Sequence, residues 1–224
     1  MAANLADVRA RIAAACAAAG RDPGEITLVA VTKTFPASDV RLLAGLGVTE
    51  IGENRDQDAA PKAAACADLS LTWHFVGQLQ TNKCRSVVGY AHYVHSVDRD
   101  RLVDTLGREA VRAGRPVGCL VEVRLDERVE RGGVPPAEVP RLAARIAATD
   151  GVTVAGVMGI APLDRAPEPA FATLAEVAGA VRAEHPEASM LSAGMSGDLE
   201  AGIAAGATHV RIGTALLGKR PFPR

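Results

Sequence analysis

Apolar positions along the 224-residue chain fall into two alternating patterns. Short runs of consecutive apolar residues, many of them β-branched, are typical of strands buried on both faces, and residues 26–31 (ITLVAV) are a clear example. Between these runs, apolar residues recur every three or four positions, as Leu102, Leu106 and Ala110 do, which is typical of amphipathic helices. The pattern therefore predicts strands that alternate with helices along the chain.

The alternation predicts eight strands, with a helix between each strand and the next and no hairpin signal. The predicted strands lie at residues 26–31, 50–52, 73–76, 93–95, 116–123, 152–157, 190–192 and 208–212. The predicted helices lie at residues 4–19, 38–46 (with Ser38 as N-cap), 54–65, 81–88, from 98 onward, 136–148, 168–182 and 197–205. This series predicts a single (β/α)8 barrel with an extra N-terminal helix, and an open doubly wound sheet is the alternative.

Composition narrows the class of protein further. No linker, low-complexity stretch or repeat interrupts the alternation, so residues 1–224 are predicted to form one domain. A formal net charge of −1 gives no electrostatic reason to expect nucleic acid or a membrane surface as partner. No long apolar run or signal peptide is evident, and four scattered cysteines fit reduced thiols rather than a zinc site. We therefore expect a cytoplasmic protein.

Lysine is rare in this chain, and this makes each lysine informative. Of 25 basic residues, only four are lysine: Lys33, Lys62, Lys83 and Lys219. Lys33 follows the predicted strand at 26–31, where partial burial favours the neutral amine that forms a Schiff base with an aldehyde. The alternative for Lys33 is an ion pair with a carboxylate such as Glu53. Lys62 and Lys219 are interpreted as surface residues, and Lys83 as part of a solvated helix face.

Polar residues gather at the predicted carboxyl ends of the strands, where barrels and open parallel sheets carry their sites. They lie at Lys33, Thr34, Glu53, Asn54, residues 74–78, Met158, residues 192–196 and residues 211–214. His74 is interpreted as a hydrogen-bonding core residue. The other four histidines are interpreted as structural or surface residues, since none has an acidic or serine partner at a telling spacing: His92, His95, His185 and His209. Residues 122–131 are interpreted as a loop.

Two turns near the C-terminus are candidate phosphate sites. Residues 192–198 (SAGMSGD) precede a predicted helix, and residues 211–214 (RIGT) end the last predicted strand. Backbone N–H groups and hydroxyls can bind an anion there, as the last two βα loops of barrels often do. Together with Lys33, these turns favour a phosphorylated aldehyde as cofactor. No GxSxG, Walker A or GxGxxG pattern supports a hydrolase or a nucleotide-binding protein.

Several motifs occur in the order found in a known family. They are AVTKT (30–34), GEN (52–54), WHFVGQLQTNK (73–83), SVD (96–98), GVM (156–158), SAGMSGD (192–198) and VRIGTA (210–215). On these motifs, which span nearly the whole chain to Gly218, the sequence resembles the pyridoxal phosphate homeostasis protein family. Members of that family are similar to the N-terminal barrel of alanine racemase, a fold-type III scaffold for pyridoxal 5′-phosphate (PLP).

The resemblance implies a cofactor and the residues that bind it. It implies that PLP is held as a Schiff base on Lys33 and that the other cofactor-binding residues are Asn54, Met195, Ser196, Arg211, Gly213 and Thr214. Ser196, Gly213 and Thr214 would bind the phosphate, and Arg211 would face the pyridine nitrogen. An arginine in that place keeps the nitrogen unprotonated and weakens PLP as an electron sink. No metal is implied.

The resemblance also implies a role. Alanine racemase uses a catalytic tyrosine from a second domain, whereas this chain has only Tyr90 and Tyr93, neither placed for that task. We therefore expect a monomeric, non-catalytic protein of PLP homeostasis, with PLP-dependent apo-enzymes as candidate recipients. The alternative is a PLP-dependent amino-acid racemase or lyase. The sequence departs from the family pattern at three places, which are Phe35, Arg55 and the Gly159-Ile160 step after Met158.

Overall fold

The eight predicted strands are present and close into a barrel. The computed structural model describes residues 1–126 and 132–218. The strands are β1 Thr27–Val31, β2 Glu50–Glu53, β3 Thr72–Phe75, β4 Tyr93–Val97, β5 Val117–Val123, β6 Val152–Gly159, β7 Met190–Ser192 and β8 His209–Ile212. Each strand is parallel to the next in chain order, and β8 pairs with β1. The (β/α)8 barrel is therefore confirmed, and the open sheet is wrong.

Helices cover the outside of the barrel in the order that the apolar pattern predicts. They are α1 Ala2–Ala19, α2 Ala37–Gly45, α3 Asp56–Ala65, α4 Cys84–Val88, α5 Asp100–Ala113, α6 Val139–Ala147, α7 Glu168–Glu184, α8 Leu199–Ala204 and α9 Thr214–Leu217. The extra N-terminal helix is confirmed as α1, which lies against α8 and α9. Within the described ranges, no helix is both long and apolar enough to cross a bilayer.

The ends of several helices differ from the prediction. α2 begins at Ala37 behind Pro36, so Ser38 lies inside the helix and is not its N-cap. Pro36 is the N-cap and has an extended backbone, so the helix starts at Ala37, one residue earlier in the chain than predicted. The predicted helix at 81–88 is a 3-10 turn, Thr81–Lys83, followed by α4. The short helix α9 was not predicted, because its four residues carry no period.

The core lies between the strands and the helices, whereas the barrel interior is partly polar. On β8, Val210 and Ile212 join the apolar cluster beneath α1 and α2. Successive side chains of a strand point to opposite faces, so His209 and Arg211 point into the barrel. His74 of β3 and His95 of β4 are buried there as well. Branched apolar side chains fill most barrels, so these polar groups set this interior apart.

Gly156 allows β6 and β7 to approach each other closely. Its φ is +151°, and a Cβ atom built there would lie 1.8 Å from the carbonyl oxygen of Met190. Gly179, in the middle of α7, has no atom within 4 Å of the same position. The two glycines therefore differ in what a methyl group would meet.

We expect Gly156→Ala to destabilise the protein by about 3 kcal/mol or more, because the strands must separate to admit the methyl group. Gly179→Ala is the matched control and should stabilise it by about 0.5–1 kcal/mol through helix propensity. Urea unfolding of both variants measures the difference. Equal stability of the two variants would contradict the close approach of β6 and β7.

Candidate functional site

A cavity of about 420 Å³ opens at the carboxyl end of the barrel. The structure brings all seven predicted cofactor-binding residues to its wall: Lys33, Asn54, Met195, Ser196, Arg211, Gly213 and Thr214. These residues follow β1, β2, β7 and β8 or lie on them. Their meeting follows from the topology, because the carboxyl ends of parallel strands share one end of the barrel.

A strained turn places Lys33 at the cavity. The next residue, Thr34, has a φ of +72°, which side chains other than glycine rarely adopt. The N–H of Phe35 donates to the carbonyl oxygen of Thr32 at 3.0 Å and closes the turn. The chain therefore leaves β1 sharply, and Lys33 is half-buried at the rim.

Behind this turn lies a buried ion pair that the sequence did not predict. Lys62 is 7% exposed, so its interpretation as a surface residue is wrong. Its Nζ donates to the carbonyl oxygen of Thr32 at 2.9 Å and also to Oε1 of Glu53. The Thr32 hydroxyl donates to the same carboxylate oxygen at 2.5 Å. Glu53 thus takes Lys62 as its ion-pair partner, and the pair ties α3 to the ends of β1 and β2.

We expect Lys62→Met to destabilise the protein by about 3–5 kcal/mol, because it leaves the buried Glu53 carboxylate without its counter-ion. Adding Glu53→Gln to this variant should recover about 2 kcal/mol, since the unpaired charge is removed. Urea unfolding of the single and double variants measures both effects. A double variant no more stable than Lys62→Met would contradict this account.

The loops after β7 and β8 are joined at the predicted phosphate turns. The Ser196 hydroxyl accepts from the N–H of Ala215 at 3.2 Å. Its carbonyl oxygen accepts from Arg11 at 3.0 Å, and the N–H of Met195 donates to Asp198 at 2.6 Å. A Cβ atom on Gly213 would lie 3.3 Å from the carbonyl oxygen of Val31, so the β8 turn runs close to β1. Hydroxyls and backbone therefore line this side of the cavity.

Arg211 is the buried cation of the cavity. It is 5% exposed, and burial lowers the pKa of its guanidinium to about 10, so it remains charged at neutral pH. One terminal nitrogen, Nη1, donates to the carbonyl oxygen and the hydroxyl of Ser192 at 2.8 and 2.6 Å. The other, Nη2, donates to the carbonyl oxygen of Gly159 at 3.0 Å. Three hydrogen bonds thus hold the guanidinium in place.

Glu122 also lines the cavity, although the sequence did not predict it as a site residue. The predicted strand at 116–123 includes Glu122 and is confirmed as β5, so the interpretation of residues 122–131 as a loop is wrong at Glu122. Residues 127–131 lie outside the described residues. Burial and the neighbouring Asp98 raise the pKa of Glu122 to about 7, against the opposing effect of Arg211. The available signal was a charged residue between two valines near the end of a predicted strand.

The raised pKa of Glu122 makes the stability of the protein depend on pH. The folded protein holds this proton up to about pH 7, whereas the unfolded chain releases it near the ordinary value of 4.5. Stability from this group is therefore present below about pH 4.5 and lost as the pH rises to about 7.

We expect Glu122→Gln to stabilise the protein by about 1–3 kcal/mol more at pH 8 than at pH 5, since glutamine has no buried charge to form. Urea unfolding at the two pH values measures this difference. Glu187→Gln, at an exposed position, is the control for loss of one glutamate. The same gain at both pH values in Glu122→Gln would contradict burial of the carboxyl group.

The remaining candidates lie elsewhere. His74 is a hydrogen-bonded core residue, as predicted, but His95 does have a serine partner: its Nδ1 lies 3.0 Å from the Ser192 hydroxyl, 97 residues away.

Arg55 is exposed, and Phe35 lines a neighbouring cavity with Lys62. Lys219 lies outside the described residues. The four cysteines are buried and unpaired, and no acidic, histidine or cysteine cluster in the described ranges could hold a metal.

Comparison with known proteins agrees with this geometry. The family described as alanine racemase, N-terminal domain, matches residues 2–221. A pyridoxal phosphate homeostasis protein of Mycobacterium tuberculosis is 45% identical over 96% of this chain and 91% of its own length. This chain belongs to the pyridoxal phosphate homeostasis protein family.

Two solved structures have folds similar to that of this homeostasis family member. PipY of Synechococcus elongatus, with PLP bound, is 33% identical over 97% of this chain and 99% of its own, with a TM-score of 0.84. Alanine racemase of Corynebacterium glutamicum is 14% identical over 88% of this chain and 57% of its own, with a TM-score of 0.68. The second likeness concerns the fold alone.

Proposed function

We propose that this protein binds PLP for intracellular PLP homeostasis and holds the cofactor as a Schiff base on Lys33, without catalytic turnover. The observation that carries the proposal is the set of groups around the cavity of about 420 Å³. An amine, a buried guanidinium and a hydroxyl-lined turn surround this space, and PLP offers an aldehyde, a pyridine nitrogen and a phosphate. The relative PipY is described with PLP bound.

The residues present fit the three polar groups of PLP. Ser196, Gly213 and Thr214 would hold the phosphate, since their loops offer hydroxyls and a close backbone. Asn54 and Met195 would line the ring. When bound, PLP supplies an aldehyde that condenses with the amine of Lys33, forming a C=N bond while the aldehyde oxygen leaves as water.

Arg211 supports retention of the cofactor rather than turnover. Its guanidinium stays charged at neutral pH, since burial lowers the pKa only to about 10. Such a group donates a hydrogen bond to the pyridine nitrogen and does not give it a proton, so the ring withdraws electrons weakly. The two tyrosines add no acid or base at the cavity: Tyr90 packs against Trp73, and Tyr93 stacks on His74.

We also propose that residues 1–224 act as one domain and as a cytoplasmic monomer. The described residues of a single chain supply the amine, the guanidinium and the phosphate turn of the cavity, which supports this view. The recipients of the stored PLP would be PLP-dependent apo-enzymes.

Borohydride reduction of the PLP-loaded protein, followed by peptide mass spectrometry, tests the proposal. Before reduction we expect an absorbance band near the visible–ultraviolet boundary, which is lost on reduction and in Lys33→Ala, because only an amine forms the C=N bond. After reduction we expect one adduct, on Lys33. Lys83→Ala, a half-exposed lysine, is the control and should keep both. An adduct on another lysine, or none, would overturn the assignment. Rapid exchange of the α-proton of alanine or serine in D₂O would instead support a racemase or lyase.

A further inference from the structure

A continuous chain of hydrogen bonds crosses the barrel interior and ends at Arg211. Oε2 of Glu50 lies 2.7 Å from Nε2 of His74, and Nδ1 of His74 lies 2.8 Å from Nε2 of His95. Nδ1 of His95 lies 3.0 Å from the Ser192 hydroxyl, which accepts from Arg211 at 2.6 Å. Five strands, β2, β3, β4, β7 and β8, contribute one residue each.

The chain connects the two ends of the barrel. His74, His95, Ser192 and Arg211 are at most 5% exposed, whereas the side chain of Glu50 is 27% exposed. Glu50 is the first residue of β2 and lines a second cavity, of about 540 Å³, at the amino end of the strands. Solvent therefore reaches the chain at Glu50, on the side opposite the PLP cavity.

The acceptor at Glu50 determines the order of protons along the chain. A carboxylate only accepts, so Nε2 of His74 carries a proton and donates to it. In a neutral imidazole the other nitrogen then accepts, so Nδ1 of His74 accepts from Nε2–H of His95. Nδ1 of His95 in turn accepts from the Ser192 hydroxyl, and the serine oxygen accepts from Arg211. Both ring nitrogens of His74 and of His95, and the Ser192 hydroxyl, have a hydrogen-bond partner in this order.

The direction of the pKa shifts agrees with this order. Complete burial, together with the positive charges that His74, Arg211 and His209 can carry, lowers the pKa of His95 well below its ordinary value, so His95 is neutral. Burial raises the pKa of the Glu50 carboxyl, but hydrogen bonds and charge attraction, chiefly from His74, outweigh burial and lower it. The carboxylate is thus the stable acceptor at the end of the chain.

A proton added to His74 reverses the direction of the hydrogen bonds from His74 to His95 and from His95 to Ser192. Both ring nitrogens of the cation donate, so Nδ1–H of His74 points to Nε2 of His95. Neutral His95 must then carry its proton on Nδ1 and donate it to the Ser192 oxygen. The serine hydroxyl loses His95 as an acceptor and has to turn its own proton elsewhere, directly beside the guanidinium of Arg211. Protonation at one end thus changes the hydrogen bonds at the other.

Arg211 is sensitive to a change at the Ser192 hydroxyl because its N–H groups are divided between protein acceptors and a ligand. Of the five N–H groups of the Arg211 guanidinium, three donate to Ser192 and Gly159. Among the described residues nothing accepts from the other two, Nε–H and one Nη2–H, so they are available to a ligand. Glu122 and Asp198 add negative charge around the guanidinium. The orientation of the two remaining donors therefore depends on the bond to Ser192.

We propose that Glu50, His74, His95 and Ser192 are positioning residues for Arg211, and that they couple the environment of bound PLP to protonation at the opposite end of the barrel. The inference rests on the proposed placement of Arg211 at the pyridine nitrogen. The groups that face His74, and whose titration has to be separated from its own, are Glu50, His92, Tyr93, His95 and His209, with Arg9 beside Glu50 in the second cavity.

The first test uses the protein without PLP. Long-range ¹H–¹⁵N spectra of histidine-labelled protein report which ring nitrogen carries the proton as the pH falls. We expect Nε2–H on both His74 and His95 at high pH, and a move of the His95 proton to Nδ1 when His74 becomes charged. Glu50→Gln should move this change to lower pH, because the carboxylate that favours the cation is gone. A proton on Nδ1 of His95 at high pH would contradict the proposed order of protons along these hydrogen bonds.

The second test reads the cofactor in the loaded protein. The Glu122→Gln background removes the titration of that carboxyl group. In this background we expect the absorbance of bound PLP to change at the pH at which His74 titrates. In Ser192→Ala, His74 should still titrate but the PLP band should no longer follow it. Ser96→Ala is the matched control, because Ser96 is equally buried, neighbours His95 and has no hydrogen-bond partner for its hydroxyl among the described residues.

The outcomes separate this inference from the proposed function. Two results would overturn the coupling. One is a PLP band that changes together with protonation of His74 in Ser192→Ala, as it does in Ser96→Ala. The other is a PLP band that does not change with protonation of His74 in the Glu122→Gln background alone. An absent Lys33 adduct would overturn the proposed function, while the histidine spectra without PLP would still test the chain. Glu50→Gln, at the solvent-accessible end, gives a second variant for the loaded protein and should move the PLP transition together with that of His74.

Discussion

The pairing of β1 with β8 closes the barrel, and the candidate site depends on this closure. Residues 27–30 lie in register with residues 209–212, so the two ends of the chain become neighbours. The turn after β1 brings Lys33 to the cavity, and the turn after β8 brings Gly213 within close reach of Val31. In an open sheet these segments would belong to separate edges. Closure is what allows an amine and a candidate phosphate turn from distant parts of the chain to face one ligand.

Charge is buried inside the barrel at Arg211 and beneath α3 at Lys62, and burial forces these groups to find polar partners. Arg211 is held by Ser192 and Gly159, and Lys62 by Glu53 and Thr32. Desolvation of such groups is costly, so a missing partner destabilises far more than the intact pair stabilises. The polar interior therefore contributes orientation more than stability. It holds the guanidinium rigidly beside a cavity, which is what recognition of a ring nitrogen requires.

Much of the fold could be predicted from local pattern alone. The apolar run at 26–31 and the helical period of Leu102, Leu106 and Ala110 survive as β1 and α5 with small shifts at their ends. The family motifs also led to the residues that share one cavity, among them Arg211. Local pattern failed at Lys62 and Glu122. A helix residue near proline and alanine gives no sign that its side chain turns inward. The position of Glu122 between two valines at the end of a predicted strand was a signal, but the charged run that follows favoured a loop.

By itself, the sequence determined the order of strands and helices, the parallel sheet and the turns that carry hydroxyls and glycine, because these depend on periods of two and 3.6 residues and on short-range backbone preferences. Only the tertiary structure decided which polar groups meet. His95 and Ser192 are 97 residues apart, and Lys62 reaches Glu53 and Thr32 across a helix–strand contact. The His95–Ser192 pair depends on closure of the barrel, and the Lys62–Glu53 pair depends on the face that α3 packs against the strands. Neither can be predicted from spacing along the sequence.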